Sequence, residues 1–249
     1  MKNNKFLLLN LTIALCFCIS LSVSADDHKR WSHDSEASLI LTDGNTETTA
    51  LNFNQKTVRH FAKDELTFYG HYTRNEDNKV VGAGATANNW DVGLRFDHYL
   101  TNQLSLFLNH QWEGDDFTNI EHRNNNDIGV KYVFWKDGEL DYFHSELGYR
   151  YTKETYLDFT WAEKHNLRAY AEASKTINEN LSAKLWVEYV PNIDDFGDYL
   201  LNAEASIAAS LSSVFSLKVA YLWKHDSTIA APVLENNDST ITTSLLAEY

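Results

Sequence analysis

The stretch STITTSLLAEY (residues 239–249) keeps a two-residue period up to the last residue of the chain. One parity is mainly apolar and consists of Ile241, Thr243, Leu245, Ala247 and Tyr249. The other is mainly polar and includes Thr242, Ser244 and Glu248, with Leu246 as the exception. Such alternation predicts a β-strand with one apolar face. Because chain ends usually fray unless another element holds them, we expect this strand to pair with a neighbour in a sheet.

The same alternation recurs along the chain. In NNWDVGLRFDHYL (residues 88–100), apolar Trp90, Val92, Leu94 and Phe96 alternate with Asp91, Gly93, Arg95 and Asp97. Twelve such segments are predicted: 35–43, 48–60, 65–74, 89–99, 103–113, 123–135, 139–151, 163–174, 181–190, 199–211, 215–225 and 239–249. Most have about the 9–11 residues that a tilted strand needs to cross a bilayer.

The connections between these segments alternate in length. Short ones follow the even-numbered segments: FAKD (61–64), LTN (100–102), KDG (136–138), KTINEN (175–180) and SSV (212–214). Apart from GNTE, the others are longer and more acidic, as in PNIDDFGD (191–198). An even strand number with this rhythm is typical of outer-membrane barrels. The sequence therefore predicts an all-β fold over residues 35–249, a 12-stranded antiparallel transmembrane β-barrel with short periplasmic turns and longer extracellular loops.

In such a barrel the apolar faces meet lipid and the charged faces line the lumen, while ring closure gives every strand two neighbours. Aromatic residues should form two girdles. The outer one comprises Trp90, Trp112, Trp161, Tyr189, Tyr199 and Trp223, and the periplasmic one Phe61, Tyr99, Trp135, Tyr142, Phe215 and Tyr249. A soluble, secreted β-sandwich or barrel is the alternative, with the apolar faces converging on a core. The girdles, the loop rhythm and the presence of only two prolines favour the membrane barrel.

Three places fit this pattern poorly. In segment 48–60, Gln55 and Thr57 share the face of Leu51 and Phe53, so the strand register is open there. Ile40 and Trp186 occupy positions on faces that are otherwise polar.

The amino end predicts export. Lys2 and Lys5 precede an apolar run from residue 6 to about residue 21, and the small Val23 and Ala25 fit a secretory cleavage site. We expect a signal peptide at 1–25, cleaved after Ala25, and a short periplasmic tail at 26–34. The alternative, a transmembrane anchor, is disfavoured because the run is short and contains polar residues. The only cysteines, Cys16 and Cys18, lie in this segment, so the exported chain would have no disulfide.

The chain is acidic, with a formal net charge of −14 over 249 residues. Such a charge disfavours nucleic acid and anionic surfaces as partners.

Several stretches resemble a known family. SHDSEASLILTDGNTETTALNFNQKTVRHF (residues 32–61) is similar to the start of the salt-stress-induced outer-membrane protein family, in which Gly-Asn-Thr joins the first two strands. Gly44, Asn45 and Thr46 occupy that turn here. WDVGLRFDHYLTNQLSLF (90–107) and NNDIGVKYVFW (125–135) resemble later strands, and the resemblance covers about residues 32–249. It implies a barrel of unknown biochemical role with a link to salt or osmotic stress, and it supplies no catalytic residues.

Three clusters in the outer loops are candidates for catalysis at the rim: Asp115-Asp116, Asp194-Asp195 and His225-Asp226. A carboxylate can orient an imidazole base, so hydrolase activity is one alternative. Solvated loop acids are the simpler interpretation, and the sequence predicts no catalytic, cofactor-binding or metal-binding residue. The ten histidines show no close metal-binding spacing.

The other functional class is a pore. The predicted lumen faces carry both charge signs, with Asp91, Arg95, Asp97, Asp127, Lys131, Arg168, Glu172, Lys184, Glu188, Glu204, Lys218 and Lys224. Side chains nearly fill small barrels, whereas wide channels appear at about 16–18 strands. We therefore expect a narrow passage for ions or small solutes, or a closed structural barrel, in the outer membrane of a Gram-negative cell. Expected partners are lipid, lipopolysaccharide and the barrel assembly machinery, which would read the strand ending in Tyr249; the barrel is expected to be a monomer.

Overall fold

The computed structural model describes residues 31–42, 48–77, 85–138, 140–228 and 235–249. These form twelve strands: β1 (Trp31–Thr42), β2 (Thr48–His60), β3 (Asp64–Asp77), β4 (Ala85–Tyr99), β5 (Leu104–Asp115), β6 (Ile120–Asp137), β7 (Asp141–Tyr156), β8 (Trp161–Asn178), β9 (Leu181–Pro191), β10 (Tyr199–Ser210), β11 (Phe215–Asp226) and β12 (Asn237–Glu248). In this part of the chain, no helix is long and apolar enough to cross a membrane. The predicted signal peptide and the Gly44-Asn45-Thr46 turn lie outside the described residues.

The strands form one closed antiparallel sheet in which each strand pairs with its neighbours in sequence and β12 pairs with β1. The predicted fold class is confirmed, and the carboxy-terminal strand has the partner that its alternation required. β2 has the predicted bounds, whereas β1 begins at Trp31 rather than at residue 35.

Two of the predicted outer loops are largely strand. β5 extends to Asp115 and β6 begins at Ile120, and β7 extends to Tyr156 while β8 begins at Trp161. Each connection is therefore a four-residue turn, since polar alternation continues the ladder beyond the apolar part of the strand. This half of the barrel consequently has its longest strands, 18, 16 and 18 residues in β6, β7 and β8.

The exterior is apolar over most of its area. Large hydrophobic side chains stand exposed on the outward faces of every strand from β3 to β12; they include Phe68, Leu94, Leu106, Ile128, Leu147, Leu167, Leu185, Ile207, Val219 and Ile241. Among the residues that the structure describes, few hydrophobic side chains are buried, and the buried set is dominated by polar and charged residues. Such an inverted distribution is stable where hydrocarbon surrounds the barrel and the polar groups are paired inside.

The β1–β2 hairpin explains the poor alternation of segment 48–60. The register pairs Ser35 with Gln55 and His33 with Thr57, so Gln55 and Thr57 do lie on the outward face of Leu51 and Phe53. They are hydrogen-bonded there, because Ser35 Oγ donates to Gln55 Oε1 at 2.6 Å and His33 Nδ1 lies 3.1 Å from Thr57 Oγ1. Mutual pairing lowers the cost of placing these polar groups on the exterior.

Two members of the predicted periplasmic girdle point inward instead. The Tyr99 hydroxyl donates to Glu65 Oε2 at 3.1 Å, and the Tyr142 hydroxyl donates to Glu172 Oε1 at 2.6 Å. Both positions have lumen parity, so these phenols serve as hydrogen-bond donors to lumen acids. Exposed Phe61, Trp135, Phe215 and Tyr249 fit the girdle as predicted.

A charged lumen as the candidate functional site

Strand register brings the charged side chains to one surface, the inner wall of the barrel. All twelve charged residues predicted for the lumen share this face across β4 to β11. Parity alone did not reveal their partners, which come from strands far apart in sequence. Further lumen charges that were not singled out are Glu36, Glu113, Arg123, Glu146, Arg150 and Glu154.

The central cluster consists of three guanidinium groups and four carboxylates on β4, β6, β7, β8 and β9. Arg95 binds Asp97 at 2.7 Å and Glu146 at 2.9 Å. Arg168 binds Glu146 and Glu188, both at 2.6 Å. Arg150 binds Asp127 at 2.6 Å and Glu188 at 3.2 Å. Because most of these groups are buried, the pairs form a rigid, fully bonded belt and not a set of mobile surface charges.

Phe107 lies in the middle of this belt and is the largest fully buried side chain, with 1% of its surface exposed. The Arg95 guanidinium stands over its ring at 4.3 Å and that of Arg168 at 5.8 Å. On its other side the ring meets two glycines: a Cβ built on Gly129 would lie 2.7 Å from Phe107 Cζ, and one on Gly148 would lie 3.3 Å away. Glycine on a lumen face therefore makes room for the ring against the barrel wall.

A second cluster, the outer cluster, lies towards the long-loop end of the same wall. Arg123 binds Glu113 at 2.8 Å and Glu154 at 2.7 Å, and Lys164 binds Asp198 at 3.0 Å and Glu154 at 3.9 Å. The cavity between them measures about 20 Å³, room for about one water molecule.

Asp198 lies in the β9–β10 loop, where it joins the loops to the outer cluster. It accepts hydrogen bonds from Thr228 and, at 3.1 Å, from Asn192 Nδ2. Burial alone would raise the pKa of Asp198, but the hydrogen bonds from Thr228, Asn192 and Lys164 outweigh it and hold the pKa below its ordinary value of 3.8.

The opposite wall, from β10 to β2, carries a third cluster, the seam cluster. Lys218 binds Glu36 at 3.0 Å and Glu204 at 3.4 Å, and Ser244 donates to Glu36 at 2.5 Å. Around it the wall has small buried side chains, namely Ser38, Ser206, Ser216 and Ala220. The lumen is thus asymmetric, with bulky ion pairs on one side and small polar residues on the other.

A hydrogen-bonded chain continues the wall on β2, β3 and β4. Asp91 Oδ1 lies 3.3 Å from His71 Nδ1, and His71 Nε2 lies 2.8 Å from Thr73 Oγ1. Thr73 donates to Asn52 Oδ1 at 3.3 Å. The order carboxylate, imidazole, hydroxyl and amide was not anticipated from sequence, because the four residues come from three strands.

The three predicted rim clusters do not come together as a catalytic site. Asp115 Oδ1 accepts the Phe117 N–H at 2.9 Å, and Asp195 Oδ1 accepts the Gly197 N–H at 2.9 Å, so both cap turns. His225 Nδ1 lies 2.9 Å from Asn237 Oδ1, while Asp226, on the opposite strand face, accepts the Thr228 N–H at 3.0 Å. Asp115, Asp195, His225 and Asp226 therefore each have a local structural partner.

Among the described residues, no group of three or more His, Cys, Asp or Glu side chains is arranged to hold a metal ion.

A closed twelve-stranded sheet with an apolar exterior and an ion-paired interior defines a transmembrane β-barrel. The chain belongs to the family described as "Protein of unknown function, DUF481", whose model matches residues 35–249. This membership confirms the predicted relation to a family of unknown role; the link to salt stress stays a prediction. No match was found among curated proteins.

Several solved structures are similar to this chain at low sequence identity. The NanC porin is 10% identical, with a TM-score of 0.46 over 87% of this chain and 97% of that one. The KdgM porin is 11% identical, with a TM-score of 0.43 over 88% and 98%. The translocator domain of the autotransporter NalP from Neisseria meningitidis is 9% identical, with a TM-score of 0.46 over 99% and 95%.

Proposed function

We propose that the protein is an outer-membrane barrel whose lumen is a narrow, cation-preferring passage for ions or small polar solutes. The observation that supports this is the composition of the three lumen clusters. The central cluster opposes four carboxylates to three guanidiniums, the outer cluster three carboxylates to Arg123 and Lys164, and the seam cluster two carboxylates to Lys218. Each cluster has one acid in excess, and rings of excess acid select cations.

The passage is narrow because the paired side chains fill one half of the lumen. Phe107 and the guanidiniums above it occupy the β4–β8 side, so solutes would move along the small residues of β10 to β2. An ion moving along that side would pass fixed charges that are already paired with one another. Such charges bind the ion weakly and so allow its release.

Conductance of the refolded protein in planar bilayers tests this function. We expect discrete current steps of small amplitude and, under a KCl gradient, a reversal potential of the sign given by cation preference. Phe107→Ala should increase the step size, since the buried ring supports the Arg95 guanidinium that fills this side of the lumen. Leu106→Ala, which removes an exposed residue from the outward face of the same strand, is the matched control and should leave the step size unchanged.

A closed structural barrel is the second candidate, and the water-sized cavity of about 20 Å³ in the outer cluster favours it. In that case neither the parent protein nor Phe107→Ala would conduct, although both would fold. Folding is checked by the shift in electrophoretic mobility between heated and unheated samples.

The surroundings proposed for the barrel follow from its exterior. The apolar outward faces would contact outer-membrane lipid and the acidic loops would reach lipopolysaccharide through divalent ions. The strand ending in Tyr249 would be read by the barrel assembly machinery after export, and the barrel would function as a monomer in an envelope-maintenance role under salt stress.

A further inference from the structure

The seam between β1 and β12 is paired over only part of its length. Its ladder runs from Asp34–Glu248 to Ala37–Leu245, extended at the periplasmic end by backbone bonds between His33 and Tyr249 of 2.8 and 3.0 Å. Both strands continue towards the outer side, β1 to Thr42 and β12 back to Asn237, and there each forms a backbone ladder only with its other neighbour. One side-chain bond crosses the seam where the ladder stops, since the Ser244 hydroxyl donates to Glu36. Extending the register would join Ser38 to Ser244 and Ile40 to Thr242, but the ladder contains neither pair.

This gap lies at the depth of the outer lipid leaflet. On β11, Val219 is the partner of Thr243 and Tyr221 is the partner of Ile241, and both β11 side chains are exposed on the lipid side. Trp223, of the outer girdle, comes next along β11 towards the loops. We call this unpaired stretch of the seam the slit. Unpaired backbone is tolerated at membrane depth only where it lines a polar cavity or meets a partner, so the backbone groups along the slit need one or the other.

The edges of the slit are apolar on both faces of the sheet. Leu39 points outward and is 43% exposed, Ile40 points to the lumen and is 47% exposed, and Ile241 on the outward side of β12 is 71% exposed. An isoleucine on the lumen face, which the alternation of β1 does not require, thus extends the apolar surface from the exterior into the barrel.

Polar side chains lie on the lumen side of the same edge. Asn52 is the register partner of Ser38 and accepts the hydrogen bond of Thr73, whose hydroxyl contacts His71. Hydroxyl, amide and imidazole groups can bind a polar head group without demanding that it be charged.

We propose that the slit between β1 and β12 is a lateral portal that binds a single-chain amphiphile, with the acyl tail between Leu39, Ile40 and Ile241 and the polar head at Asn52 and Thr73. The proposal rests on the proposed function, since it gives the solute passage a side exit into the outer leaflet. Apolar strand edges next to neutral polar groups fit an amphiphile better than they fit a free ion or a sugar.

Tail entry can be measured by fluorescence quenching. In the full-length protein with Cys16 and Cys18 replaced by serine, a bimane label is attached to Ile40→Cys or, as a control, to Ser206→Cys. Ser206 also faces the lumen, but β10 has complete ladders on both sides. Lysophosphatidylcholine with a dibrominated acyl chain should quench the label at position 40 at least twofold more than the label at 206. Equal quenching at the two positions would overturn the portal.

Cysteine cross-linking tests whether the seam is open. In the same background, Ala37→Cys with Leu245→Cys probes the paired part and should oxidise readily, because registered pairs are within disulfide reach. Leu39→Cys with Thr243→Cys should resist oxidation yet accept a longer bis-maleimide bridge, and that bridge should abolish amphiphile binding. Equally fast oxidation of both pairs would show that the two strands pair along their whole length and would overturn the portal. A disulfide between two copies at the outer pair would overturn it as well, because a second barrel would then cover this edge.

The two proposals fail separately. Current steps without quenching at position 40 would leave the pore standing and refute the portal, whereas quenching without current would refute the pore and keep the amphiphile site.

Discussion

At the scale of single residues, the lumen depends on glycines that let large side chains lie flat against the wall. Besides the Phe107 contacts, a Cβ on Gly93 would lie 2.1 Å from Cζ of Tyr69, whose hydroxyl reaches Asn109 Oδ1 at 3.0 Å. The sequence shows these glycines on polar faces but does not show what they accommodate, because the residue that lies across from each glycine depends on the register between strands.

Replacing Gly129 by alanine should therefore destabilise the barrel. The new Cβ would lie 2.5 Å from the Leu147 carbonyl oxygen and 2.8 Å from the Gly148 Cα, so backbone and ring must both shift. We expect a loss of about 1–3 kcal/mol in the free energy of unfolding, the usual cost of overpacking. Urea unfolding in lipid vesicles measures it. Gly70→Ala is the control, since its Cβ would meet nothing closer than 3.3 Å; a similar loss there would contradict the argument.

The carboxylate of Asp198 makes the outer loops sensitive to acid. Its pKa in the folded protein lies below the ordinary 3.8, so its bonds stabilise the loops above the unfolded-state pKa and are lost as pH falls through the folded value. Limited proteolysis of the 192–198 loop should accelerate below about pH 4. Asp198→Asn should show fast cleavage already at neutral pH, whereas Asp194→Asn should behave like the parent; identical pH profiles for all three proteins would refute the role.

At the scale of strands, the alternation of apolar and polar residues predicted the number of strands well and the ends of the strands less well. All twelve strands were found, yet β6, β7 and β8 run several residues past their apolar portions, since backbone pairing continues where side chains are polar on both faces. The misfits at Ile40, Gln55 and Thr57 all fall on the β1–β2 hairpin beside the seam. Their explanation lies in cross-strand hydrogen bonds and the short ladder, which no single strand encodes.

Because that ladder is short, its terminal residue should contribute more than an ordinary girdle tyrosine. Tyr249 exchanges two backbone hydrogen bonds with His33 and stacks on its ring at 5.1 Å. Tyr249→Ala should lower the free energy of unfolding by about 0.5–1.5 kcal/mol more than Tyr221→Ala, since stacked rings contribute that much beyond burial. Tyr221 projects from a strand with complete ladders. Equal losses in the two variants would show that the seam does not limit stability.

At the scale of the whole molecule, the excess of acid over base is spread along the lumen. Glu204→Gln leaves Lys218 balanced by Glu36 alone and should reduce the potassium-to-chloride permeability ratio by about twofold, or about 0.4 kcal/mol. Glu163→Gln, which removes an exposed acid beside Lys153, is the control. The reversal potential under a KCl gradient gives the ratio; a larger change for the control would place selectivity at the mouth and not in the seam cluster.

The lumen shows which features could be predicted from the sequence and which could not. Strand parity identified Arg95, Arg168 and Glu188 as inward-facing, and the structure agrees. It could not show that Arg168 and Glu188 meet, nor which acids Tyr99 and Tyr142 bind, because those contacts depend on the stagger between strands.

The uneven pairing of the sheet has a consequence for how the barrel comes apart under force. The β6–β7–β8 sector has long strands and inward charges that pair across adjacent strands, so we expect it to keep its structure longest when the sheet is pulled apart. The pairing between β1 and β12, by contrast, has only a few ladder pairs. Peeling the chain from its carboxy terminus with an atomic force tip should accordingly begin at low force and stiffen once the charged sector is reached.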